Sequence, residues 1–96
     1  MEKNDRIRLY YAAIKKWGIE PQKTMLYEEL GELITALSQY TRGRVTKEDV
    51  LTELADATIM IEQIALLLGF DDYEDELEKK LVRLRDKKLK LNNDSK

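Results

Sequence analysis

The chain has 96 residues, 38% of them charged, with a net charge of −2 and neither cysteine nor histidine. That length makes one small domain, 1–96, with a thin stability margin. The absent residues exclude disulfides, thiolate metal sites, the commonest general base and the commonest zinc ligand, and the balanced charge gives no electrostatic case for nucleic acid.

One proline, four glycines and few β-branched runs predict an all-α chain of four helices. The first runs from about Asn4 to Trp17, with Ile7, Tyr10, Tyr11, Ile14 and Trp17 at helical spacing before Gly18. Pro21 opens the second, where its missing N–H costs nothing. This helix carries Leu26, Leu30, Leu33, Leu37 and Tyr40 and ends near Thr41, ahead of Gly43. Thr46 and Asp49 resemble a capping box that starts the third helix. Its apolar arc is Val50, Leu54, Ala57, Ile61, Ile64 and Leu68, widened on one side by Met60 and Leu67.

After Gly69, Asp71 or Asp72 caps a fourth helix that reaches about Leu91, and the tail 92–96 is expected to fray. Acids open the fourth helix and bases close it, which suits the helix macrodipole. Asp75 with Lys79, and Glu76 with Lys80, make favourable pairs four apart. A solvated, self-stabilised helix explains that pattern. A basic patch that attracts an anionic substrate is the competing account. No segment approaches the roughly 18 apolar residues of a membrane span. Met1 to Asp5 carry no apolar signal core, so a cytoplasmic protein is expected.

Two acids on the third helix do not fit a solvated face. At about 100° per residue, Glu53 falls inside the widened apolar arc and Asp56 falls at its edge. On the second helix Glu29 flanks the apolar arc, Glu32 lies one step further round, and Glu28 points nearly opposite. The turn Arg42-Gly43-Arg44-Val45 is short enough to make these helices antiparallel neighbours. The pairs Glu29/Glu32 and Glu53/Asp56 then face each other at similar height, with no Lys or Arg on their faces. Converging carboxylates repel unless a cation satisfies them. With oxygen ligands only, the cation is a hard one such as magnesium or manganese. The competing account is that these acids are surface or ion-paired, as most glutamates are.

Glu28-Glu29-Leu30-Gly31-Glu32, followed after 20 residues by Glu53-Leu54-Ala55-Asp56, resembles the EExxE…ExxD signature of MazG-like nucleotide pyrophosphohydrolases. The flanks Trp17-Gly18, Gln22 and Ala55 to Gln63 are also similar, so the likeness covers roughly residues 10 to 70. The resemblance implies the all-α NTP pyrophosphatase fold. It implies Mg2+, with Mn2+ as a substitute, on Glu29, Glu32, Glu53 and Asp56. It implies hydrolysis of nucleoside triphosphates to monophosphate and pyrophosphate by direct attack of a metal-bound water, in a homodimer or homotetramer.

With no histidine, a carboxylate must take the proton, and Glu29 or Glu32 is the expected base. Arg42, Arg44, Lys47 and Lys23 are candidates for phosphate, each also readable as surface charge. Arg42 leads, because family members often carry a base near the end of that helix. Trp17 is a candidate for stacking on a nucleobase and equally for core. Tyr10, Tyr11, Tyr27 and Tyr40 read as core or dimer interface, Met25 and Met60 as core. The chain has no Gly-x-x-x-x-Gly-Lys loop for γ-phosphate transfer. Two other functions fit the same pattern: phosphoribosyl-ATP pyrophosphohydrolase, and a non-catalytic helical dimerisation or interaction module.

Overall fold

The computed structural model describes residues 1–91, so the expected frayed tail lies outside the described residues. Four α-helices follow one another, α1 Lys3–Trp17, α2 Ile19–Thr41, α3 Lys47–Leu68 and α4 Phe70–Arg83, and a π-helical turn Leu84–Lys88 extends the last. No helix among the described residues is long and apolar enough to cross a membrane.

The helix ends follow local chemistry. Gly18, at φ 95°, closes α1 by donating its N–H to Ile14 O at 2.8 Å and opens α2 at the next residue. Pro21 is therefore the third residue of α2 and not the first. It still sits in the turn whose N–H groups lack helical partners. The Thr46–Asp49 capping box forms, with Asp49 N–H donating to Thr46 Oγ1 at 3.2 Å and Thr46 N–H to Asp49 Oδ2 at 2.9 Å. α4 starts at Phe70, one residue before the earlier of its two expected caps, because Gly69 makes the turn. It leaves α geometry after Arg83, short of Leu91. Its surface pair is Glu76 with Lys79 at 3.4 Å, three apart and not four.

α2 and α3 form the central antiparallel pair; α1 lies against both, and α4 packs on α3. Polar ties hold α1 down. Arg6 pairs with Glu62 at 3.3 Å, Tyr10 donates its hydroxyl to Glu62, and Lys3 reaches Glu74 on α4 at 2.5 Å. The buried apolar residues are Tyr10, Val50, Ala57, Met60, Ala65 and Phe70.

On α3 this corrects the expected arc. Leu54, Ile61 and Leu68 are exposed, and so are Tyr11 and Trp17 on α1. The face of α3 that the chain itself covers is turned toward Met60 and Gln63. Glu53 and Asp56 therefore lie well within the covered face, both half-buried. The apolar arcs are wider than one chain can bury. Tyr27, Ile34, Leu37 and Tyr40 on α2 remain exposed as well. The radius of gyration is 16.7 Å, against about 12–13 Å for a compact chain of this length. The helices form a flat, open set, 50 × 38 × 23 Å, with uncovered apolar edges.

Candidate metal centre

Register brings the acids together. Buried Gln22 donates its Nε2 to Oε1 of buried Gln63 at 2.7 Å, which pins α2 to α3 at one level. Seven residues on along α2 and seven back along α3 is about two turns on each. That step sets Glu29 opposite Asp56, and three more residues set Glu32 opposite Glu53. Carboxylate oxygens of Glu29, Glu53 and Asp56 lie within 4.8 Å of one another. Glu32 stays outside this trio, exposed, but close enough to act on both Glu29 and Glu53.

The trio carries uncompensated charge. Oε2 of Glu29 and Oε2 of Glu53 are shielded from solvent and have no hydrogen-bond partner. Desolvation raises the Glu29 pKa above its ordinary 4.5, and the charges of Glu32, Asp56, Glu53 and Glu28 raise it further. Desolvation also raises Glu53, followed by the charge and carboxyl contact of Glu32 and the charge of Asp56. No basic side chain acts on either group. Buried orphan oxygens are costly, and hard oxygen donors converging from two helices fit a hard divalent cation. Glu29, Glu53 and Asp56 are the residues that would hold it.

The raised carboxyls fix a sign. A carboxyl that binds its proton more tightly when folded adds stability below its unfolded pKa and loses it as pH rises through the folded value. In a chelator, the melting temperature is expected to fall as pH rises from the ordinary glutamate range toward neutrality. Glu53→Gln should raise it at neutral pH and flatten the slope. Asp49 and Asp86, whose pKa values are lowered, act in the opposite direction in both proteins, so the comparison isolates the site. Identical slopes in the two proteins would remove the repulsion argument.

Two open cavities flank the acids. One, about 730 Å³, is lined by Glu28, Gly31, Glu32, Thr35, Gln39, Thr52 and Glu53. The other, about 800 Å³, is lined by Trp17, Pro21, Gln22, Met25, Glu28, Met60 and Gln63. Glu28 points outward as its wheel position implies, yet borders both. Trp17 is not core. It is 56% exposed at the rim of the second cavity, with Lys16 Nζ 5.2 Å from its ring centroid. Met25, expected in the core, is also exposed there.

The candidate bases are not gathered at the acids. Lys23 pairs with Glu20 at 3.4 Å and lines a separate groove with Ile19, Leu26, Tyr27 and Ile64. Arg42, Arg44 and Lys47 are exposed at the α2–α3 turn, line neither cavity, and have no ion pair among the described residues.

The acidic signature does not extend to the polar lining Thr35, Gln39 and Thr52, and it marks Gln22 and Gln63 only as flanks. Their signal was periodic: Thr35 and Gln39 follow Glu32 at three and seven, while Gln22 and Gln63 stand seven from Glu29 and Asp56.

Gly31 is the odd residue in this wall. A Cβ added there meets nothing within 4 Å, yet a mid-helix glycine costs about 0.5–1 kcal/mol relative to alanine. Gly31→Ala is expected to stabilise the free chain by about that amount in urea unfolding. Destabilisation would show that the position is not open as the geometry has it.

Searches against protein-family models, curated proteins and solved structures find no match to this chain.

Proposed function

We propose that the chain is a magnesium-dependent nucleoside triphosphate pyrophosphohydrolase of the MazG-like kind. The observation that carries this reading is the meeting of Glu29, Glu53 and Asp56 with two orphaned oxygens and no basic partner. The spacing of the same residues resembles EExxE…ExxD. Bound magnesium supplies charge neutralisation of the triphosphate and makes water acidic enough to lose a proton near neutral pH.

The chain's own groups divide the remaining work. Glu29, Glu53 and Asp56 anchor the cation. Glu32 is exposed beside Glu53 and outside the trio, which suits it to accept the proton of the attacking water. Trp17, at the rim of the neighbouring cavity, offers a face to a nucleobase. Arg42, Arg44 and Lys47 are free to meet the departing pyrophosphate from the turn. The uncovered apolar edges of α2 and α3 fit a homodimer or homotetramer.

The test is pyrophosphate release from the common NTPs and dNTPs and from phosphoribosyl-ATP, with and without magnesium, in water labelled with heavy oxygen. Label in the monophosphate, with release abolished by chelation, is the expected result. Label confined to pyrophosphate, or nucleoside diphosphate with orthophosphate as products, would overturn the mechanism. Silence on every substrate would leave the helical interaction module as the better reading.

A further inference from the structure

The cavity beside Trp17 has an apolar wall and a polar floor. Trp17, Pro21, Met25 and Met60 make the wall. Gln22 and Gln63 make the floor, 5% and 4% exposed. An amide side chain both donates and accepts. The bond from Gln22 Nε2 to Gln63 Oε1 uses one group on each. Gln22 Oε1 and Gln63 Nε2 have no other partner among the described residues, and neither atom is sealed from solvent. They open onto the cavity, one acceptor beside one donor. Turning both amides over exchanges the two roles and leaves the same pair. Apolar walls around a few convergent polar groups suit a heteroaromatic ring.

Charge then decides which ring. The amide pair by itself suits any nucleobase, since each carries a donor next to an acceptor on its pairing edge. Carboxylates line this cavity and, among the described residues, no Lys or Arg does. Glu20 is engaged by Lys23 at 3.4 Å. Glu28 has no ion pair among the described residues, and it borders both this cavity and the one at the acids. An ionised carboxylate accepts hydrogen bonds and donates none. It attracts an exocyclic amino group and repels a carbonyl oxygen. Cytosine and adenine carry an amino group where thymine and uracil carry a carbonyl or nothing that donates. Gln22 and Glu29 stand seven residues apart on α2, about 10 Å along the axis. That is the reach of one nucleoside from base edge to first phosphate.

We propose that Gln22, Gln63 and Glu28 select a nucleotide whose base bears an amino group, cytosine or adenine, over one with uracil or thymine. The two amides orient the ring edge, and Glu28 sets the preference. The inference rests on the hydrolase reading for the triphosphate and adds the base.

Trp17 is the chain's one tryptophan, so its fluorescence reports the cavity without any hydrolysis. In a chelator, cytidine and adenosine are expected to quench it at concentrations about tenfold below those that uridine and thymidine need, the worth of one charge-assisted hydrogen bond. With magnesium, kcat/KM for the matching triphosphates should follow the same order. Glu28→Gln should erase the preference in both measurements. Gln22→Met/Gln63→Met removes both amides and leaves no buried group unpaired, so the helical signal should hold while the preference is lost. Equal quenching by all four nucleosides, or none by any, would overturn the proposal. So would a Glu28→Gln variant that loses every triphosphate equally and keeps the native order of nucleosides. Selective quenching by cytidine and adenosine without hydrolysis of any triphosphate would overturn the hydrolase reading and leave the base selection standing.

Discussion

Replacing Glu53 by Gln, or Asp56 by Asn, is expected to lower pyrophosphate release at least about 100-fold, since even groups that only support a ligand are worth 10–100-fold. The helical circular dichroism should not change, because neither carboxylate makes a hydrogen bond that holds the fold. A second readout separates lost metal from lost folding. Magnesium should raise the melting temperature of the native chain and leave both variants unmoved, since a ligand stabilises only the state that binds it. Activity retained in both variants would end the assignment of these acids as the centre. A magnesium-induced shift retained without activity would place the cation elsewhere.

The second large effect concerns the edge of α2. Ile34 is 69% and Leu37 47% exposed in the single chain, so acids at both positions should cost an isolated chain little. If that edge is the centre of a dimer, the same change buries four charges across the twofold, each costing several kcal/mol. Ile34→Glu/Leu37→Glu is therefore expected to weaken the dimer by more than about 100-fold and to leave a monomer at micromolar concentration. Its melting temperature should fall, because a chain this open has little core of its own. Unchanged sedimentation would show that the edge faces solvent.

The helices were legible in the sequence because Gly18, Gly43 and Gly69 punctuate them and Thr46–Asp49 caps one. The meeting of the acids was legible from symmetry. Glu29 and Asp56, and Glu32 and Glu53, stand equally far from the turn at Arg42 and Gly43. The width of the covered face was not legible. Leu54, Ile61 and Leu68 belong to the same periodic stripe as Val50 and Ala57, and periodicity cannot tell burial within a chain from burial between copies. The direction of Lys23 was not legible either. It depends on which groove of the α2–α3 pair its position overlooks, and that follows from packing.

The joint at Gly18 is a single residue that ends one helix and begins the next. Its length sets what lineages of this chain can change. One residue added to the end of α1 there would turn that helix by about 100° about its axis, carrying Tyr10 and Arg6 away from Glu62 and moving Trp17 off the cavity rim. The turn from Arg42 to Val45 has no such restriction, since none of its side chains is buried and longer surface loops cost little closure entropy. Length variation among descendants should therefore collect between α2 and α3 and be purged between α1 and α2. A library of one- to three-residue insertions at the two sites, sorted for soluble expression, would display that asymmetry directly.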